Sequence, residues 1–462
     1  LILNSMEEKS MKKVFMGIIF IIIILLLIGV SFFFQVEEYS IQGTITDIDD
    51  ELIILQNDDE KYQFSLVNIS YDEELEQLLN AQVEISYHQK LESYPEINMA
   101  TKLVVIQLDE LSSLPREYRD DGIFQDYYVS AYETLQTLSL EEKVGQMILA
   151  RLEEEEAIHA VQQYHLGGFV LFGRDFKDKT KEQVQQMIKT IQEASSLPLF
   201  MAVDEEGGTV VRISSNPLLA ESRFLSPQNI YRQGGMEASH QDTKDKAILL
   251  KELGLNINLA PVADVSTDPA DYIYSRSFGQ DATHTADYVE QVVTWYQEEG
   301  LACTLKHFPG YGNNKDTHQG IAIDERDFST FLEQDFLPFE AGIEAGVPSI
   351  LVSHNIVKSM DATYPASLSK EVHRILREDL GFTGVIMTDD LAMNAIQEYT
   401  HHPAVEAVLA GNDLIMVTDY ATSYQEILQA VQEEIISEDV INHAVFRILA
   451  WKYQMNLMPL DK

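Results

Sequence analysis

The longest uninterrupted apolar pattern in the chain lies near its start. Residues 14–34 have the sequence VFMGIIFIIIILLLIGVSFFF, without a charged side chain. A helix rises about 1.5 Å per residue, so a run of this length crosses a hydrocarbon core of about 30 Å. The run is longer than the apolar part of a signal peptide, and no Cys directly follows it. The pattern therefore predicts an uncleaved transmembrane anchor over residues 14–34, with a cleaved signal peptide as the lesser alternative.

The charges that flank this run predict its orientation. Three lysines within residues 9–13 precede it, and two glutamates follow it at positions 37 and 38. Basic residues remain on the cytoplasmic side of a membrane-spanning helix. We therefore expect residues 1–13 to form a cytoplasmic tail, and the rest of a single-pass cell-membrane protein to lie outside the cell.

Residues 39–108 follow a different pattern, in which apolar and polar residues alternate with the period of a strand. Five or six such short runs, separated by turn residues, predict a small β-rich module, either a barrel or an open sheet. The module carries no catalytic constellation, which favours a spacer or docking role over sugar or wall binding. Residues 109–130 are polar and rich in turn residues, and are predicted to form a linker.

From residue 131 to residue 460, short apolar runs alternate with amphipathic helical patterns. The predicted strands are 146–150, 168–172, 199–203, 257–260, 301–305, 349–353, 384–388 and 413–417. The predicted helices include 180–195, 284–299, 331–345, 369–380 and 444–457. Eight strand-then-helix units in this length predict an α/β fold of the (β/α)8 TIM-barrel type. A G-x-G-x-x-G motif does not follow the first strand, which disfavours a doubly wound dinucleotide-binding sheet.

Composition narrows the class of partner. The 462 residues carry a formal net charge of −43, with a pI near 4.4. Such a surface repels polyanions, so nucleic acid is not an expected partner. The single cysteine, Cys303, lies within an apolar run and is predicted to be a small buried hydrophobe.

Charged or polar residues follow five consecutive predicted strands of the barrel. One Asp at a strand end is commonly a helix cap or a turn residue, but five such ends indicate a site, because barrel active sites lie there. The residues are Asp204, Glu205, Glu206 and Arg212 after the third strand, Asp264 and Arg276 after the fourth, Lys306 and His307 at the fifth, Ser353, His354 and Asn355 at the sixth, and Asp389 and Asp390 at the seventh.

The loop after the fifth strand adds two further polar residues. Pro309, Gly310 and Gly312 end the strand and open the loop, which carries Asp316 and His318. Three histidines, at positions 307, 318 and 354, are candidate metal ligands, but the cations nearby would repel a metal ion. None of Arg212, Arg276 and Lys306 lies in a Gly-rich loop that opens a helix, which disfavours a phosphate site. We therefore predict neither a metal site nor a cofactor.

The same residues suit the cleavage of a glycosidic bond, which needs a carboxylate and a proton donor on opposite sides of the bond. Asp389 is the candidate nucleophile, and His318, whose ordinary pKa lies near neutrality, is the candidate acid/base. Asp316 would orient the imidazole of His318. The candidate sugar-binding residues are Asp204, Arg212, Arg276, Lys306 and His307.

Seven stretches of the barrel resemble glycoside hydrolase family 3, and in particular its NagZ-type exo-β-N-acetylglucosaminidases. They are VDEEGGTVVR from residue 203, NLAPVADV from 258, SRSFG from 275, KHFPGYGNNKDTH from 306, SH from 353, YPASLS from 364 and GFTGVIMTDDLAM from 381. The resemblance implies that Asp389 forms a covalent glycosyl-enzyme, that His318 with Asp316 is the acid/base, and that anomeric configuration is retained. It implies no cofactor.

The resemblance also implies a substrate, namely terminal β-linked N-acetylglucosamine in peptidoglycan-derived sugars. Three alternatives remain open: a phosphorylase of the same family, a glycosidase for another β-glycoside, and an inactive membrane-tethered sugar-binding protein. Two positions depart from the family pattern, since Tyr311 stands where many relatives have His, and Glu205 where many have Gln. We expect both departures to alter substrate contacts.

Overall fold

The computed structural model describes residues 39–49, 52–57, 60–66, 78, 81–88, 97–107, 111, 114–314 and 320–460. The chain divides into two compact units, Leu1–Arg116 and Glu117–Lys462. The predicted tail and anchor, residues 1–34, lie outside the described residues. Within the described ranges, none of the helices is long and apolar enough to cross a membrane.

The first unit contains a closed barrel of five strands. They are β1 (Tyr39–Asp49), β2 (Leu52–Asn57), β3 (Glu60–Ser65), β4 (Gln82–His88) and β5 (Ile97–Gln107). The order around the barrel is β1-β2-β3-β5-β4, with β3 and β5 parallel and the other neighbours antiparallel. This is the topology of an OB fold.

The alternating sequence pattern explains the core of this small barrel. Successive residues of a strand point to opposite faces, so every second side chain of β2 enters the interior. Ile53 and Leu55 are fully buried there, together with Phe64, Val83 and Ile85.

The second unit contains eight parallel strands, as the sequence predicted. They are β6 (Ile148–Arg151), β7 (Gly168–Leu171), β8 (Phe200–Val203), β9 (Ile257–Asn258), β10 (Ala302–Phe308), β12 (Ser349–Val352), β14 (Val385–Thr388) and β15 (Ile415–Val417). From β6 to β14 each strand pairs with the next of these eight, and β15 pairs with β6, whereas β14 and β15 share only the isolated bridge between Met387 and Leu414. The amide of Leu414 donates to Ile386 O at 3.1 Å, so the sheet nearly closes into the predicted barrel.

The barrel strands are mainly apolar because helices cover their outer face while their inner side chains fill the barrel. Every residue of β7, β8, β12 and β14 is buried. Two further strands, β11 (Ile323–Asp324) and β13 (Ile356–Val357), form a separate parallel pair that the sequence did not predict.

Helices connect the barrel strands. They are α1 (Tyr128–Thr137), α2 (Leu140–Gln146), α3 (Ala157–Tyr164), α4 (Gly173–Phe176), α5 (Lys181–Ala194), α6 (Pro227–Leu253), α7 (Ala282–Glu298), α8 (Phe328–Thr330), α9 (Phe336–Glu344), α10 (Lys370–Arg374), α11 (Asn394–Gln397), α12 (Pro403–Ala410), α13 (Tyr420–Gln432) and α14 (Glu438–Gln454). Single π-helical segments, Phe331–Asp335 and Ile375–Asp379, adjoin α9 and α10. Short 3-10 turns occupy Arg116–Tyr118, Gln125–Tyr127 and Ala366–Leu368.

The structure differs from the predicted linker over residues 117–130. Phe124 and Tyr128 are buried, and the Tyr128 ring packs at 4.8 Å from the ring of Phe446. The amide of Ile123 donates to Thr383 Oγ1 at 3.1 Å. Residues 117–130 therefore belong to the second unit, because isolated aromatic residues in a polar stretch complete its core.

Within the described part of this unit, no carboxylate forms an ion pair with the buried cation Lys452. Lys452 on α14 is fully buried, and its ammonium donates to Gln146 Oε1 at 2.6 Å and lies 4.9 Å from the centre of the Phe200 ring. Burial lowers the pKa of Lys452 to about 7, because the charged form is poorly solvated.

We expect Lys452→Met to change stability in a pH-dependent way. Below pH 7 the folded wild-type protein must bury a charged ammonium, whereas between pH 7 and the unfolded pKa near 10.5 it folds with a neutral amine. The Tm of the variant relative to wild type should therefore be higher at pH 6 than at pH 9. Thermal unfolding at both pH values measures this, with the exposed Lys189→Met as control. An equal Tm difference at both pH values would contradict the burial of a charge.

Candidate active site

A cavity of about 360 Å³ opens at the C-terminal ends of the barrel strands. Its lining includes six of the eight residues that the sequence predicted for the site, namely Asp204, Arg212, Arg276, Lys306, His307 and Asp389. The other two, Asp316 and His318, lie outside the described residues. Residues far apart in the chain thus meet in one cavity because parallel strands end on the same side of a barrel.

A second cavity, of about 670 Å³, lies at the opposite end of the strands. Its lining includes Asn256, Leu301 and Pro348, which directly precede β9, β10 and β12. It contains none of the predicted site residues. The smaller cavity is therefore the candidate site, although the other is larger.

A buried carboxylate, Glu206, connects two of the cations in the site. Lys306 Nζ lies 2.5 Å from Glu206 Oε1, and the Arg276 guanidinium donates to both Glu206 oxygens at 2.7 and 3.0 Å. Burial alone would raise the pKa of Glu206, but Arg276 and Lys306 outweigh burial and hold that pKa well below its usual range. Glu206 therefore remains ionised and fixes both cations in place.

Asp204 extends this network to the edge of the cavity. Lys306 Nζ donates to Asp204 Oδ1 at 2.6 Å, and Arg212 Nη2 lies 3.7 Å from Asp204 Oδ2. The side chain of Lys306 is 3% exposed, whereas that of Arg212 is 27% exposed. Arg212 is thus the more accessible cation of the two.

An irregularity in β10 allows two consecutive residues to reach the cavity. Successive side chains of a regular strand point to opposite faces, so Lys306 and His307 would ordinarily diverge. The pairing of β10 with β12 shifts register between Lys306 and Phe308. Such a bulge redirects a side chain, and both residues line the cavity.

Asp264 orients the imidazole of His307. One Asp264 oxygen accepts from the His307 amide at 3.0 Å and lies 2.7 Å from His307 Nδ1. On the other side of the ring, Arg276 Nη2 lies 3.1 Å from His307 Nε2. Since a guanidinium can only donate, Nε2 is the acceptor, and the proton of the ring resides on Nδ1 facing Asp264.

The predicted nucleophile, Asp389, directly follows β14. Its amide donates to Val352 O at 2.9 Å, and its Oδ1 accepts from the Asp390 amide at 2.8 Å. Asp390 in turn accepts a short hydrogen bond from Arg151 Nε and a second from the Ala392 amide at 2.9 Å. The tip of β14 is therefore held by both backbone and side-chain contacts.

The two departures from the family pattern have different positions. Tyr311 is buried, lines the cavity and packs edge-to-face on His307 at 5.0 Å, so it can contact a substrate. Glu205 does not line the cavity. Its carboxylate accepts from the amides of Arg212 and Ile213 at 2.7 and 2.8 Å and from Ser214, so it shapes the loop that carries Arg212.

Two residues of the site were predicted at strand ends without a role, and two others were not predicted. Glu206 and Asp264 follow predicted strands but were assigned to neither the catalytic nor the sugar-binding set. Arg151, the last residue of β6, offered the same strand-end signal. Tyr272 offered none, although its hydroxyl accepts from Arg276 at 3.2 Å.

The histidines that were weighed as candidate metal ligands form other contacts where the structure describes them. His354 Nδ1 lies 2.7 Å from Ser367 Oγ, and its Nε2 lies 3.0 Å from the carbonyl of Asp390. Within the part of the chain that the structure describes, His, Cys, Asp and Glu form no group of three or more able to hold a metal ion.

Comparisons with known proteins agree with this architecture. Residues 139–451 match the model of the Glycosyl hydrolase family 3 N terminal domain. A beta-hexosaminidase from Stenotrophomonas maltophilia is 34% identical over 280 residues, which cover 59% of this chain and 82% of that protein. A beta-hexosaminidase from Nitrosomonas eutropha is 30% identical over 279 residues, covering 59% and 80%.

A solved structure is similar as well. The glycoside hydrolase family 3 beta-N-acetylglucosaminidase from Paenibacillus sp. FPU-7 has a TM-score of 0.65 and 29% identity, over 70% of this chain and 64% of that one. A parallel barrel whose strand ends gather paired cations and carboxylates is typical of an enzyme for polar substrates. The chain belongs to glycosyl hydrolase family 3, and it is a glycoside hydrolase similar to beta-hexosaminidases.

We expect Glu206→Gln to destabilise the second unit, because Lys306 and Arg276 would lose their shared buried counter-charge. Breaking a buried ion pair costs about 3–5 kcal/mol of the free energy of unfolding. Denaturant unfolding measures this loss. The control is Glu193→Gln, whose partner Lys189 lies at 3.7 Å on the surface, where a pair contributes at most about 1 kcal/mol. Equal effects of the two substitutions would contradict the role given to Glu206.

Proposed function

We propose that the protein is a retaining exo-β-N-acetylglucosaminidase, a β-N-acetylhexosaminidase that removes terminal β-linked N-acetylglucosamine from peptidoglycan-derived sugars. The observation that carries the proposal is that Asp389 lines the same cavity as Asp204, Lys306, His307 and Arg276. One sugar unit bound in this cavity could therefore meet both a nucleophilic carboxylate and groups that form hydrogen bonds to its hydroxyls.

The proposed reaction has two displacements at the anomeric carbon. In the first, an Asp389 oxygen bonds to that carbon while the bond to the leaving oxygen breaks, and protonated His318 gives its proton to that oxygen. In the second, a water molecule displaces Asp389 and gives a proton to neutral His318. Two inversions retain the configuration. Asp316 would stabilise the charged imidazole that is present before the first step and forms again in the second.

The charged network suits the recognition of a neutral sugar. A cation without a counter-ion would favour an anionic ligand, but Lys306 and Arg276 are already neutralised by Asp204 and Glu206. Their N–H groups can then donate hydrogen bonds to hydroxyl and acyl oxygens of the sugar, and the carboxylate oxygens can accept hydrogen bonds from its hydroxyl groups. We assign this role to Asp204, Arg212, Arg276, Lys306 and His307.

The substrate assignment has two further supports. The beta-hexosaminidases and the beta-N-acetylglucosaminidase that resemble the chain carry that activity in their names. The predicted anchor over residues 14–34 would place the barrel outside the cell, where the wall is the accessible glycan.

Protease added to intact cells should then cleave the barrel, and a barrel that stays protected would contradict this orientation.

We expect an enzyme lacking residues 1–38 to release nitrophenol faster from the β-N-acetylglucosaminide than from the β-glucoside. Asp389→Ala should abolish the release, because no glycosyl-enzyme can form. His318→Ala should lower kcat/KM by about 10²–10⁴-fold on a natural disaccharide, and by less on the nitrophenyl substrate, whose leaving group needs little protonation.

Two controls sharpen this assay. The variant Asp379→Ala removes a carboxylate of a surface pair with Arg374 and should leave turnover unchanged. Added phosphate tests for a phosphorylase, whose product would be a glycosyl phosphate. Undiminished turnover by Asp389→Ala would exclude Asp389 as the nucleophile, and turnover of neither sugar would refute the proposed activity.

A further inference from the structure

The loop that follows β10 has two arms in the described part of the chain. The outgoing arm, residues 309–314, begins after Phe308, and the returning arm, residues 320–322, leads into β11. The outgoing arm is fixed near the cavity, since the Tyr311 amide donates to Asp264 at 2.7 Å. The returning arm is fixed to β13, since the Ile356 amide donates to Ala322 O at 2.8 Å.

One guanidinium, that of Arg326, connects the outgoing arm to β11, the strand into which the returning arm leads. It donates to both oxygens of Asp324 at the end of β11, at 2.7 and 3.1 Å, and to the carbonyl of Gly310 in the outgoing arm at 3.3 Å. Asn314 Nδ2 adds a second connection, because it donates to Asp324 Oδ2 at 2.8 Å.

The same guanidinium joins the loop to the helical segment behind it. Arg326 Nη1 donates to Asp335 at 2.8 Å, and Arg326 Cζ lies 4.3 Å from the centre of the Phe331 ring. Two buried carboxylates thus share one cation. Burial raises the pKa of Asp335 to about 7, and Arg326 only partly offsets that rise.

The outgoing arm approaches this cluster too closely for side chains. Gly312 has φ 51°, and a Cβ there would lie 2.4 Å from Arg326 Cζ. Gly310 has φ 120°, and a Cβ there would lie 2.4 Å from Asp335 Oδ1. The glycines therefore allow the backbone to rest directly on the cluster, which determines the path of the arm.

We propose that Arg326 is a positioning residue for the acid/base of the reaction, and that it acts by clamping the two arms that lead to Asp316 and His318. The inference rests on the proposed function, because it assumes that these two residues deliver the proton. Arg326 itself does not line the cavity.

A leaving-group comparison tests this role. We would measure kcat/KM of the full chain on a dinitrophenyl β-N-acetylglucosaminide, which needs little protonation, and on an N-acetylglucosaminyl disaccharide, which needs it fully. A displacement of about 1 Å in a catalytic group can cost roughly 10²-fold. Arg326→Lys should therefore lose roughly 10²-fold on the disaccharide and little on the dinitrophenyl substrate.

Asn314→Ala is the second variant, because it removes one connection between the arms and leaves every ion pair of Arg326 intact. It should shift the ratio of the two rates in the same direction. Arg447→Lys is the matched control, since Arg447 also pairs with a buried carboxylate, Asp413, at 3.0 Å. Arg447 lies on α14 and does not line the cavity. Its ratio of rates should equal that of wild type.

The outcomes separate the two proposals. A wild-type enzyme that cleaves neither sugar would overturn the proposed function, and this inference with it. An active wild type, with Arg326→Lys and Asn314→Ala lowering both rates equally or not at all, would overturn the clamp alone. If Arg326→Lys does not fold, the ratio measured for Asn314→Ala decides the matter.

Discussion

The site depends on one buried carboxylate, Glu206, which holds Lys306 and Arg276 together at the end of the barrel. Two buried cations so close together would repel each other and would be poorly solvated. Glu206 and Asp204 remove that cost and give each cation a fixed position. His307, which accepts from Arg276 and faces Asp264, takes its orientation from the same network.

The barrel supplies the geometry that this network requires. Its parallel strands end on one side, so residues from β8, β10 and β14 reach one cavity without a long excursion of the chain. The bulge in β10 then places Lys306 and His307 on the same side. The following loop continues from that point, and the Arg326 cluster links its two ends to the helical segment behind. In the proposed function, recognition of the sugar and delivery of the proton would thus start from one strand.

Most of the fold could be predicted from the sequence, because strands buried on both faces form continuous apolar runs that few other elements share. The start of the second unit could not, because Phe124 and Tyr128 are isolated aromatics in a polar stretch and only tertiary packing gives them a role. The positions of Asp389, Lys306 and His307 at the cavity could be predicted from strand ends. The partners did not, since nothing local indicates that Glu206 pairs with Arg276, which lies 70 residues further along the chain.

The two atypical residues illustrate the same limit. Both Tyr311 and Glu205 were expected to alter substrate contacts, but only Tyr311 lines the cavity. The carboxylate of Glu205 instead gathers backbone amides of the loop that carries Arg212. A substitution next to a site residue can therefore act through the backbone, and its effect depends on the direction of a side chain that the sequence does not reveal.

The central claim is that Asp389 forms a covalent bond to the sugar, and trapping of that intermediate tests it most directly. A fluorinated N-acetylglucosaminide forms a glycosyl-enzyme that water releases slowly, so the adduct can be located by mass spectrometry of peptides. The account predicts one added glycosyl group on the peptide that contains Asp389. An adduct on a different residue, or none during continued turnover, would contradict it.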